Sequence, residues 1–187
     1  MRKRKGDPLT PRQLERLLRG AENDRDRVIL RVLVNTGVRI GELCALSMAD
    51  IHWQEGLLRV PWLKNRHGER WREVNIRAET LIHLRKFLDG QVFEAAAPVF
   101  RGRTGGRITT RSVQRMIGCC AKRAGLERGV TPHDLRHTFA SEMIYAGVPL
   151  PALQFMMGHA SPETTMKYVK RSAKYVETEY RKASMAI

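Results

Sequence analysis

At 187 residues, with 42% apolar and 28% charged side chains, the chain is long enough for one domain with a full hydrophobic core. Its 34 Lys and Arg against 19 Asp and Glu leave a net charge of +15, which favours a polyanionic partner, nucleic acid ahead of an anionic membrane. No apolar run approaches the roughly 20 residues of a spanning helix, and the basic residues 1–5 lack the apolar stretch of a signal peptide. Cys44, Cys119 and Cys120 make neither a disulfide framework nor a paired CxxC metal pattern, so a reducing cytoplasm is expected.

In chain order, residues 1–8 form a basic tail. Thr10-Pro11-Arg12-Gln13 then combines an N-cap, a proline at the first helical position and a capping-box glutamine, and Leu14, Leu17 and Leu18 supply an apolar stripe. Val28, Ile29, Val32 and Leu33 predict a second helix that Gly37 terminates, and residues 39–46 read as a short third. From Leu57 the period changes. Leu58, Val60 and Trp62 alternate, as do Arg72, Val74 and Ile76, around a polar segment containing Lys64, which predicts a β-hairpin or small antiparallel sheet. Helical patterning returns over residues 79–88, again from Thr109 or Thr110 to Gly125, and from Thr131-Pro132 to Gly147. Residues 149–157 predict a short apolar helix, Ser161-Pro162-Glu163 opens another that carries Tyr168, and residues 172–187 are expected to be helical. The fold class is mainly α with a small antiparallel β element (α+β).

Charge is concentrated in residues 101–136, where nine basic residues meet only Glu127 and Asp134. Arg107, Arg111 and Arg115 recur every four residues and would stack on one helix face. Like charges in that register repel, so phosphate contacts explain the stripe better than solvation does. Arg101 and Arg103 precede it and are expected to touch a DNA backbone, giving affinity without sequence choice.

Five further residues suggest chemistry: Arg39, His133, Arg136, His159 and Tyr168. His133 and Arg136 lie three apart on one helix face, and His133 falls in a first turn whose backbone N–H groups favour an anion. A guanidinium fork donates two parallel hydrogen bonds to phosphate oxygens, so two arginines can neutralise a pentavalent transition state without a metal. A tyrosine hydroxyl needs its proton accepted as it attacks, a task for a histidine. The leaving 5′ oxygen needs a proton, for which Lys64 at the hairpin mouth is the candidate. Plainer roles are assigned elsewhere. His133 and His137 are spaced like zinc ligands, but Asp134 stands where a zinc hydrolase needs Glu. His137 is read as structural. Tyr145, Tyr175 and Tyr180 are competing phenols expected in packing, as are Cys119, Cys120, Met156 and Met157, and Trp53, Trp62 and Trp71 are expected to form a structural patch at the hairpin.

Three segments together resemble the catalytic domain of the tyrosine recombinases, or phage-type integrases, over residues 9–171. Residues 36–43, Thr-Gly-Val-Arg-Ile-Gly-Glu-Leu, are similar to the family's first-arginine motif. Residues 133–141 resemble its His-x-x-Arg box, and residues 157–168 its terminal histidine and nucleophile segment. The resemblance implies that Tyr168 attacks the scissile phosphate to form a 3′-phosphotyrosyl link. Arg39, Arg136 and His159 would hold the phosphate, His133 would exchange the tyrosine's proton, Lys64 would protonate the leaving oxygen, and Glu42 would be a supporting acid. No cofactor or metal is implied. The implied partner is double-stranded DNA, bound by a homo-tetramer on paired sites that is a monomer in free solution, with a DNA-bending accessory protein as a further candidate. A bacterial, phage or mobile-element source is implied. Two departures stand out: the hairpin lacks a Gly-Lys-Gly form, and only about eight residues precede the first helix, which suits either a fragment or a short invertase-like recombinase. Residues 172–187 would pack on their own domain or dock on a neighbouring protomer. Two other readings stay open: type IB topoisomerase-like relaxation and a catalytically silent DNA-binding regulator.

Overall fold

The computed structural model describes residues 8–61, 71–90 and 94–169, together with residues 177, 180, 181 and 184. Lys64, Trp62, Tyr175 and most of the C-terminal segment 172–187 lie outside the described residues. Eight helices appear among them: α1 (Pro11–Arg19), α2 (Asp24–Thr36), α3 (Ile40–Ala45), α4 (Ala78–Leu88), α5 (Thr110–Arg123), α6 (Pro132–Tyr145), α7 (Leu150–Met157) and α8 (Pro162–Val169). Three strands, β1 (Ile51–His52), β2 (Leu57–Pro61) and β3 (Trp71–Asn75), form an antiparallel sheet in that order. The hairpin register pairs Leu58 with Val74 and Val60 with Arg72. None of the described helices is long and apolar enough to cross a membrane.

Local chemistry sets most of these boundaries. Thr10 accepts a hydrogen bond from the Gln13 backbone N–H, while the Gln13 side chain accepts from the Thr10 N–H, so two orphan donors of α1 are met reciprocally. Thr131 and Asp134 do the same for α6 behind Pro132. α2 stops at Gly37, whose φ of 64° is a left-handed conformation that glycine adopts without a Cβ penalty.

α2 packs against α6 and α4, and α1 against α5, around a core that includes Ile29, Leu33, Leu43, Leu58, Leu84, Ile117 and Leu135. A second cluster gathers Phe139, Ala140, Ile144, Leu153, Met157 and Tyr168. α6 joins the two, because Leu135 and Phe139 lie one turn apart on its buried face.

Four expectations need correction. α5 begins at Thr110, so Arg107 is not helical and the three-arginine stripe does not form. Arg107 instead pairs with Arg101 in an isolated β-bridge. Its guanidinium donates to the carbonyls of Ala45 and Leu46 at 2.7 and 2.8 Å and to Ser47 Oγ at 2.6 Å, tying down the end of α3. Cys120 is buried, but Cys119 is exposed. Tyr145 ends α6 half-exposed, and Tyr180 is exposed, so neither phenol packs. At the sheet, Trp53 packs on the core with Arg85 over its ring, whereas Trp71 is exposed beneath Arg59.

Candidate active site

The site is built where the turns after α2 and α7 meet the middle of α6. Gly37 lets the chain reverse, so that Arg39 enters α3 at its N-cap position with an extended backbone. Three residues on, Glu42 is fully buried. Its carboxylate accepts from the Arg39 backbone N–H at 2.7 Å and from the Arg39 guanidinium at 2.9 Å. It also accepts two parallel bonds from Arg72 at 2.9 and 2.8 Å. Burial alone would raise the Glu42 carboxyl, but the Arg72 bonds and the charges of Arg72 and Arg39 hold it below its ordinary value.

The opposing wall is the end of α7, where Gly158 takes a left-handed φ of 59°. Three consecutive carbonyls there each meet a different guanidinium. Arg72 Nε donates to the Met156 oxygen at 3.4 Å, Arg136 donates to the Met157 oxygen, and Arg39 donates to the Gly158 oxygen at 2.8 Å. Arg136 also donates to the Gly37 carbonyl, which joins the α2 turn to the α7 turn. A helix C-terminus carries partial negative charge, so it suits three cations. Burial and the nearby Arg39 charge pull the Arg136 guanidinium down to about 10, which leaves it charged at neutral pH.

His159 follows Gly158 and is buried. Its backbone N–H donates to the Gln154 carbonyl at 3.1 Å, and its Nδ1 lies 2.9 Å from Thr165 Oγ1 on α8. Thr165 and Tyr168 are three residues apart and both buried, so one face of α8 presents both to the site. The Tyr168 ring stacks on His159 at 6.2 Å with an interplanar angle of 5°, and meets the His137 ring at 5.0 Å. Tyr168, at 9% exposure, is therefore held among side chains.

The structure thus brings together Arg39, Glu42, Arg136, His159 and Tyr168. His133 is exposed in the first turn of α6, one turn before Arg136. The histidine rings packed on Tyr168 are those of His137 and His159. His137, read from sequence as only structural, is buried, with its Nδ1 3.3 Å from Ser141 Oγ. Arg72 was read from sequence only as a strand position and not as part of the site. An arginine at an inward position of a strand was the signal that could have exposed it. Arg101, Arg103, Arg111 and Arg115 are exposed.

Burial, reinforced by Arg136, Arg39 and Arg72, drives the His159 pKa from 6.5 down to about 3. The unfolded chain takes up a proton below about 6.5 that the folded His159 refuses until about 3, so stability falls as pH drops through that window. Replacing His159 with Gln is expected to flatten this part of the pH dependence of urea unfolding. An unchanged slope would show that other groups cause it.

Comparison with known proteins shows the family and the fold. Residues 8–174 match the phage integrase family. Tyrosine recombinase XerC of Pelobacter propionicus is 36% identical over 160 residues, covering 85% of this chain and 52% of the relative. Tyrosine recombinase XerA of Pyrococcus furiosus is 29% identical over 181 residues, covering 95% and 62%. A crystal structure of XerA recombinase superposes with a TM-score of 0.80 at 31% identity, over 98% of this chain and 66% of that one. The Tn1549 transposon integrase, in complex with transposon right end DNA, shares the fold with a TM-score of 0.79 at 24% identity, over 99% and 68%. The chain spans about half the length of the XerC relatives it matches. With two arginines, a histidine and a tyrosine converging on one turn, and a family match over nearly all its length, this chain belongs to the phage integrase family.

Proposed function

We propose that this chain is the strand-cleaving and rejoining domain of a site-specific DNA recombinase, with Tyr168 as nucleophile. The observation that carries the reading is the convergence of Tyr168, His159, Arg136 and Arg39 on the turn at Gly158. In the reaction, the Tyr168 oxygen forms a bond to the scissile phosphorus as the P–O5′ bond breaks. The phenolic proton passes to a base, and the leaving 5′ oxygen gains a proton from an acid. Arg39 and Arg136 neutralise the non-bridging oxygens, held in place by their carbonyl bonds. His159, neutral at working pH, donates a hydrogen bond to the same phosphate. His133 is the proposed proton partner of Tyr168, and Lys64 the proposed acid at the leaving oxygen. The link conserves the phosphodiester bond energy, so a 5′ hydroxyl from another strand reverses the step without ATP.

Among the exposed arginines, Arg101, Arg103, Arg111 and Arg115 are proposed to contact phosphates of the duplex. The working assembly is proposed to be four protomers on two paired sites, acting on DNA in the cytoplasm. Residues 9–171 would carry the chemistry, and residues 172–187 would dock on a neighbouring protomer.

The test is covalent trapping on nicked duplexes drawn from the DNA flanking the gene, stopped with detergent. Wild type is expected to give a protein–DNA adduct whose modified peptide contains Tyr168, and Tyr168→Phe none. An adduct that persists in Tyr168→Phe overturns the assignment. Salt-sensitive binding without any adduct on every flanking fragment favours a silent binding module.

A further inference from the structure

β3 alternates outward and inward residues, and its inward positions are Arg72 and Val74. An arginine there faces the core opposite Val60, where an apolar residue would be the simple choice. The Arg72 side chain is fully buried, as is Glu42, its partner. Replacing a buried ion pair with apolar side chains of similar volume is often neutral or stabilising, so stability gives this pair little reason to exist. Its contacts suggest another reason. Both Glu42 oxygens are shared: one bridges the Arg72 and Arg39 guanidiniums, and the other bridges Arg72 to the Arg39 backbone N–H. Arg72 Nε also reaches the Met156 carbonyl. Its guanidinium lies so close beneath Gly158 that a Cβ there would stand 2.8 Å from Arg72 Cζ.

From this we infer that Arg72 is a positioning residue for the reaction proposed above, on which the inference rests. It touches no reacting atom. It fixes the Glu42 carboxylate, which aims the Arg39 guanidinium, and it floors the turn that carries His159.

The experiment compares wild type, Arg72→Met, Arg72→Lys and the apolar pair Arg72→Met/Glu42→Leu. Each is made with and without Arg39→Ala, and assayed for initial adduct rate at saturating nicked DNA, DNA affinity and melting temperature. The apolar pair is expected to melt a few degrees below wild type, because Glu42→Leu also orphans the Arg39 backbone N–H, and to bind DNA within about twofold. Its adduct rate should fall about 10²-fold, the usual effect of misplacing a reacting geometry by about 1 Å. In the Arg39→Ala background the same change is expected to cost less than about threefold, because the two residues act as one unit. A wild-type rate in the apolar pair would show that Arg72 only fills space, and defects that multiply with Arg39→Ala would show that it does not act through Arg39. A second readout needs no DNA. In the free protein, the ¹⁵N–¹H signals of the Arg39 guanidinium should be separate in wild type and should coalesce in Arg72→Lys and Arg72→Met. Signals that stay separate overturn the inference whether or not wild type forms an adduct, and a wild type without adduct counts against the recombinase reading alone.

Discussion

Arg136→Ala is expected to lower the rate of covalent adduct formation by at least about 10²–10³-fold, the usual effect of losing one preorganised donor to a developing oxyanion. The effect should exceed that of any exposed arginine, because Arg136 is buried and its orientation is fixed by two carbonyls from different turns. The same change leaves the Gly37 and Met157 oxygens without that donor. Each buried acceptor so orphaned costs about 1–3 kcal/mol, so the variant should also lose stability in urea. The two effects separate with Arg136→Lys, which keeps a cation but not the planar fork. It should recover part of the stability and little of the rate. An Arg136→Ala protein that is folded and cleaves within tenfold of wild type would mean that the phosphate is held elsewhere.

The largest stability effect is expected at Gly37. Its φ of 64° is a conformation that costs an L-residue about 1–2 kcal/mol. A Cβ there would also overlap the Phe139 ring, coming within 2.8 Å of Cε1 and closer still to Cδ1. Overpacking of that kind typically adds about 1–3 kcal/mol, so Gly37→Ala should destabilise the fold by about 3 kcal/mol in equilibrium urea unfolding. Phe139 belongs to the cluster that seats Tyr168, so the displaced ring should slow adduct formation as well. Adding Phe139→Leu to Gly37→Ala should relieve the overlap but not the backbone strain, and so return about half of the lost stability. A loss under about 1 kcal/mol in Gly37→Ala would show that the turn relaxes freely.

Helix starts and stops were legible in the sequence because they depend on neighbours. Thr10 with Gln13, Thr131 with Pro132 and Asp134, and Gly37 each satisfy or end a helix through bonds within a few residues. Arg39, Arg136, His159 and Tyr168 were legible as a set because their order and spacing resemble a family, and the fold does bring them together. Arg72 was not, since its meaning depends on Glu42, 30 residues earlier in the chain, and on the carbonyl of Met156. Taken alone, strand alternation makes a buried arginine look like a misfit. Arg107 misled for the opposite reason. Its spacing to Arg111 matches a helical repeat, but α5 starts after it, and its charge goes to the carbonyls at the end of α3. His137, read as structural, is buried, and packing sets its ring against Tyr168, a contact 31 residues away that no local pattern announces.

The three arginines on successive carbonyls at the end of α7 have one more consequence, for how chains of this kind can change length. Met156, Met157 and Gly158 act like numbered seats, taken by residues from β3, α6 and the α3 entry in a fixed order. Inserting or deleting one residue between Met156 and His159 would move every guest to the wrong seat at once and turn His159 away from Thr165. The exposed loop at residues 103–106 holds no such order. Viable length variants should therefore accumulate in that loop and be missing from the α7–α8 junction.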